Sequence, residues 1–220
     1  MDSASARIFL RPIGSPLTIG MSGLAIASLV QSGFDLRWIA ATQAHQVGLI
    51  LLAVPFVLQL LACIFSYLAR DGAGGAALGV LACTWGGIGA IHLVSAPGSR
   101  SGAMGLLLLA AAGVLACSSA AAAAAKPLVS AVFVLAAVRF ALAGVYELGA
   151  SAAWRDAAGV DGLVVLGLAA YSVLAFELEG QRRRPVLPTF RRGRGALAVS
   201  DGVGAQLDVV AHEAGVRQTT

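Results

Sequence analysis

The sequence predicts an all-α integral membrane protein that crosses the bilayer six times. Two features of its make-up carry this. Hydrophobic residues form 58% of the chain and charged residues only 12%, about half the share a water-facing domain needs, and the mean hydropathy is +0.85. The pattern agrees with the composition. Six apolar stretches, each about 20 residues long, match the length a helix needs to cross a roughly 30 Å hydrocarbon core.

The first stretch, residues 13–33, contains no ionisable side chain. Gly14, Pro16, Gly20 and Gly23 interleave in it with Ser15, Thr18, Ser22 and Ser28. Small residues let helices approach closely, and hydroxyls supply hydrogen bonds that lipid does not. This span therefore reads as one buried against others and lining a path. Residues 35–45 form the loop that follows. The second span, residues 46–68, contains Pro55, which removes a backbone donor and kinks or frees the helix there. Arg70-Asp71-Gly72 separates it from the glycine-rich third span, residues 73–93.

Pro97, Gly98, Ser99 and Arg100 mark a turn. The fourth span, residues 103–125, is largely leucine and alanine, and Lys126-Pro127 ends it. The fifth covers residues 128–148. Polar Trp154-Arg155-Asp156 precedes the sixth, residues 160–178. Three regions result: an N-terminal segment 1–12, a membrane domain 13–179, and a tail 180–220 that turns basic and then polar and mobile. Residues 1–12 lack the long apolar core of a signal peptide.

With six spans both termini fall on one side of the membrane. Arg7, Arg11, Arg70, Lys126 and the tail residues Arg182, Arg183, Arg184, Arg191, Arg192, Arg194 and Arg217 share that side, against Arg37, Arg100 and Arg155 on the other. The positive-inside rule makes the shared side cytoplasmic, in a multi-pass protein of the cell membrane. The tail arginines read as an anchor to anionic lipid rather than a nucleic-acid site. Cys63, Cys83 and Cys117 lie in apolar stretches without paired spacing and read as small membrane hydrophobes. No His-Glu-x-x-His helix, phosphate loop or Ser-x-x-Lys nucleophile is present. The expectation is a non-enzymatic protein without metal or cofactor, driven by a solute or proton gradient.

Several ordered features resemble the acetate uptake transporter family. Its first helix opens on Asn-Pro-Ala-Pro-Leu-Gly. Here Pro16-Leu17 is kept, while Ile13, Gly14, Ser15 and Thr18 replace the other positions. In the second span QLLACIFSY keeps Gln59, Ala62 and Tyr67 and puts Ser66 at a glutamate. Thr84-Trp85-Gly86 stands at a Ser-Tyr-Gly-like segment of the third. GVDGLVVLGLAAY, ending at Tyr171, matches the last span and is followed after a basic stretch by Val186-Leu187-Pro188. The chain is identified over residues 13–190 as a divergent member.

The resemblance implies six helices forming a pore within each protomer, assembly into a homohexamer, and passage of small monocarboxylates, mainly acetate and in some members succinate. It places a constriction at Ser22, Trp85 and Leu135, where the family has phenylalanine, tyrosine and leucine. Pro16, Leu17 and Gln59, kept from the family's motifs, join the pathway, and Thr18, one turn from Ser22, is the candidate for a second pore hydroxyl. Apolar rings at such a point impede water and ions, while a hydroxyl offers a hydrogen bond to a passing oxygen. Ser22 and Trp85 also suit plain packing between helices.

Helical geometry adds Arg139, deep in the fifth span, where a charge requires a cavity or a partner. It lies one turn from Leu135 and seven residues from Val132 and Tyr146, so these share a stripe. Two readings stand: an attractor for anions, or a structural role paired with Glu147, Asp161 or Glu177 or with helix carbonyls. His92 lies seven residues from Trp85 on one face, as a titrating group or an interfacial histidine. Gln59, Cys63 and Ser66 share a face of the second span and form a polar seam that suits helix-to-helix contact more than contact with a solute. The two alternatives to a carboxylate channel are the same fold passing ammonia, urea or another short-chain acid, and a non-transporting membrane subunit.

Overall fold

The computed structural model describes residues 14–182, 184–193 and 196. Arg7, Arg11, Ile13, Arg183, Arg194, Arg217 and the polar end of the tail lie outside the described residues.

The helices are α1 (Pro16–Asp35), α2 (Ala44–Ala53), α3 (Pro55–Leu68), α4 (Gly72–Val94), α5 (Gly102–Ala123), α6 (Pro127–Glu147) and α7 (Ala152–Arg182). Together they make six helical spans long and apolar enough to cross a membrane, the second being α2 and α3 in tandem. Proline at the first turn starts α1, α3 and α6, where its missing N–H deprives the helix of nothing. Asp71 caps α4 by accepting from the Gly74 N–H, and Ser101 caps α5 by accepting from the Met104 N–H. The expected break in the second span falls at Val54, just before Pro55.

Two boundaries differ from the sequence reading. Asp35 is not in a loop but is the last residue of α1, buried. Trp154, Arg155 and Asp156 belong to α7, whose 31 residues make a rod of about 46 Å. A charged residue ends an apolar run without ending a helix, and α7 is longer than a hydrocarbon core of roughly 30 Å requires.

The spans form a closed ring. α1 packs on α3, α3 and α2 on α4, α4 on α5, α5 on α6, α6 on α7, and α7 returns to α1. Glycine sets two of these spacings. A Cβ on Gly48 of α2 would sit 2.7 Å from the Gly89 carbonyl of α4, and one on Gly144 of α6 would sit 3.0 Å from the Gly105 carbonyl of α5. Between α5 and α6 a reciprocal clasp adds hydrogen bonds: the Ser119 hydroxyl donates to the Ser130 carbonyl at 2.9 Å, and the Ser130 hydroxyl to the Ser119 carbonyl at 3.0 Å.

Polarity is arranged inside out. Leu49, Val57, Ile64, Leu106, Val114, Val134, Val160 and Leu174 are exposed on the outside of the ring, while Ser28, Ser32, Asp35, Gln59, Ser66, Arg139 and Ser172 are buried within it. That distribution suits a hydrocarbon solvent. The chain is a multi-pass membrane protein.

At one end of the ring the chain's last described segment folds back. Tyr171 donates its hydroxyl to the Pro188 carbonyl at 2.9 Å, and the Arg192 N–H donates to the Ala125 carbonyl at 3.1 Å. Arg191, expected to face lipid, is instead turned inward. Its guanidinium binds Glu179 at 2.7 Å and lies 5.5 Å from the Phe176 ring. Lys126 and Asp71 pair at 2.6 Å at the same end.

Candidate functional site

The opposite end of the ring, where residues 36–40, 95–101 and 148–151 connect the helices, holds a cavity of about 60 Å³. It is large enough for several waters or one small solute. Its wall comes from the end of α1, the start of α2, the ends of α4 and α6, and the starts of α5 and α7. Ala44, Ile88 and Met104 supply apolar surface, and Gln31, Asp35, His92, Arg139, Glu147 and Arg155 supply polar groups. Charges of both signs thus face one small space.

α1 contributes a polar stripe because Ser28, Gln31, Ser32 and Asp35 recur at three, four and seven residues and so share a face. Gln31 donates to Asp35 Oδ1 at 3.0 Å. The other oxygen, Oδ2, accepts from Arg139 of α6 at 3.0 Å. Arg155 of α7 comes within 4.0 Å of the same carboxylate and donates to the Phe34 carbonyl at 2.6 Å. Around the pair the Ser28 and Ser32 hydroxyls, Gln31 Oε1, Trp85 Nε1, His92 Nε2, Arg139 Nε and Asp161 Oδ2 are buried without a hydrogen-bond partner in the protein. In a membrane interior such groups are costly unless water or a solute satisfies them.

The ion pair crosses in front of α7, which packs between α1 and α6. A Cβ at Gly162 of α7 would sit 2.5 Å from Arg139 Nε and collide with the Ser32 hydroxyl. The bare glycine therefore leaves room for the arginine to reach α1. From α4, Trp85 lies 5.3 Å from the guanidinium and meets Phe140 edge to face at 5.2 Å. Trp85, Phe140 and Arg139 are fully buried inside the ring.

Of the residues singled out from sequence, the structure brings Trp85 and Arg139 together and puts Arg139, His92 and Tyr146 on the cavity. His92 packs edge-on against Phe34 at 5.2 Å. Ser22 and Leu135 are half-buried, and the Ser22 hydroxyl donates to the Thr18 carbonyl of its own helix at 2.9 Å. Pro16 begins α1, Leu17 is buried and Thr18 is half-buried. Gln59 is buried and donates across to the Gly20 carbonyl at 3.3 Å, tying α3 to α1 beside buried Ser66.

The carboxylate paired with Arg139 is a correction. None of the carboxylates expected from sequence holds the guanidinium in an ion pair. Glu147 accepts from the Ser101 N–H at 2.7 Å, Glu177 is exposed, and Asp161 is only within electrostatic reach. Asp35, 104 residues away in sequence, takes the role. Its signal was the stripe of Ser28, Gln31 and Ser32, which marks the same helix face as inward.

No family model matches the chain, and no curated protein matches it. Among solved structures it is similar to the bacterial acetate channel SatP, with a TM-score of 0.72 and 20% sequence identity, covering 81% of this chain and 99% of that one. The chain shares the fold of that channel.

Proposed function

We propose that this chain is a divergent member of the acetate uptake transporter family and carries small monocarboxylates such as acetate across the cell membrane. The observation that carries the reading is the polar cavity entering a closed ring of six spans and ending on a buried arginine, in the fold of an acetate channel. A solute enters the cavity, meets Arg139, which favours anions, and passes the level of Ser22, Trp85 and Leu135. Pro16, Leu17, Thr18 and Gln59 lie along the remaining path, with His92 near the mouth. Both termini are cytoplasmic, succinate is a second substrate, and the assembled form is a homohexamer with one pore in each protomer.

The deciding experiment is uptake of labelled acetate into liposomes holding the purified, folded protein. Uptake above that of empty liposomes is expected, and its absence ends the transport reading. A pH-sensitive dye inside the liposomes separates a proton-linked permease, which acidifies the lumen with acetate, from a channel that does not. Cross-linking in native membranes tests the hexamer.

One observation favours a second solute class. Asp35 and Glu147 share the cavity with Arg139 and Arg155, a mixed field that suits a neutral solute such as urea or ammonia as well as an anion. A liposome swelling panel that ranks urea above acetate would select that reading.

A further inference from the structure

The Asp35 side chain beyond Cα is a methylene carrying a carboxylate, the heavy atoms of an acetate ion with Cα in place of one methyl hydrogen. It sits on the cavity wall, held by a guanidinium that is itself buried. We infer that Arg139 is a carboxylate-binding site at the floor of the cavity, in which Asp35 is the resident ligand and from which a free carboxylate displaces it. This rests on the reading of the solute as a small carboxylate.

The geometry of the resident pair carries the inference. A guanidinium presents five donors in a planar fork, and its strongest partner is a carboxylate that accepts two of them. Arg191 and Glu179 form such a pair, through Nε at 3.3 Å and a terminal nitrogen at 2.7 Å. Arg139 and Asp35 do not. Only one nitrogen reaches one oxygen, at 3.0 Å, because the second oxygen is engaged by Gln31 and the carboxylate is tethered to the end of α1. Arg139 Nε is left without a partner. A carboxylate free of the chain has no such tether and is able to take up two donors.

The neighbourhood fits the exchange. His92 Nε2, buried and unpartnered on the same cavity, offers a further hydrogen bond to the arriving anion. Arg155, 4.0 Å from the carboxylate, is placed to receive Asp35 when it leaves Arg139.

The test is chemical rescue. D35G excises the tethered carboxymethyl group, and thermal unfolding of the purified variant in detergent micelles is followed with added sodium acetate, sodium chloride or acetamide. D35G is expected to melt several degrees below the parent protein and to regain most of that shift with acetate, rising with the logarithm of its concentration. Chloride and acetamide leave it unmoved. Equal effects of acetate and chloride, or no effect of acetate, overturn the site.

Should D35G fail to fold, line broadening of ¹³C-labelled acetate by the parent protein replaces the measurement. Broadening that vanishes in the neutral double variant Arg139→Gln/Asp35→Asn upholds the site, and broadening that persists overturns it. Both are equilibrium measurements without a membrane. Liposomes that take up acetate while D35G gains nothing from it reject this site alone, and rescue without uptake rejects transport while upholding the site.

Discussion

Replacing Arg139 by glutamine leaves the Asp35 carboxylate in a buried position without its main counter-charge. The side chains of Arg139 and Asp35 are 2% and 10% exposed, so solvent screens their interaction little. Removal of one partner from such a pair costs about 3–5 kcal/mol. Asp35 keeps the Gln31 hydrogen bond and Arg155 at 4.0 Å, which places Arg139→Gln near the lower limit, about 3 kcal/mol. Asp35→Asn strands the guanidinium, with only the Trp85 ring at 5.3 Å and the more distant Asp161 to compensate, and a similar loss of about 3 kcal/mol is expected. The double variant puts two neutral amides where the charges were, able to hydrogen-bond each other, and its loss is about 1–2 kcal/mol. Denaturant-induced unfolding in mixed micelles of the four proteins gives the cycle. Losses that add in the double variant, or single losses below about 1 kcal/mol, would refute the buried pair as the organising contact of the cavity floor.

Other perturbations follow from the same contacts. Gly162→Ala puts a methyl group against Arg139 and Ser32 and should lower stability by about 1–3 kcal/mol together with acetate flux, both read on one preparation. Ser119→Ala should destabilise by about 0.6–1.7 kcal/mol, and adding Ser130→Ala should lower the melting temperature again by a similar step, because the Ser130 hydroxyl still donates to the Ser119 backbone carbonyl in the single variant. Arg191→Ala strands the buried Glu179 carboxylate and should release the segment 184–193, seen as faster tryptic cleavage at Arg192 while the six spans stay protected.

The spans were legible because lipid imposes a simple requirement, about 20 apolar residues for each crossing. Proline reinforced it by starting α1, α3 and α6 and by breaking the second span before Pro55. The ends were less legible. Asp35 and the Trp154-Arg155-Asp156 run interrupt hydropathy, yet both lie in helices because their charges find partners in the fold: Asp35 with Arg139, and Asp156 with Arg37 at 2.7 Å. Arg139 itself was identifiable from its depth in an apolar span, but its partner was not. Neighbours along a helix are fixed by the backbone, whereas a contact between α1 and α6 depends on the ring closing through α7. Arg191 shows the same limit from the other direction. In sequence it is one of a basic cluster, and only the fold-back of residues 184–193 turns it from the surface to Glu179.

The discontinuity at Val54–Pro55 divides labour along the second span. Its first half supplies Ala44 to the cavity wall and rides on α4 through the Gly48–Gly89 approach. Its second half grips α1 through Gln59. Because proline has no N–H, the ladder of backbone bonds is thinned at this joint. The two halves of one span are therefore held by different sets of neighbours, α2 mainly by α4 and α3 by α4 and α1 together.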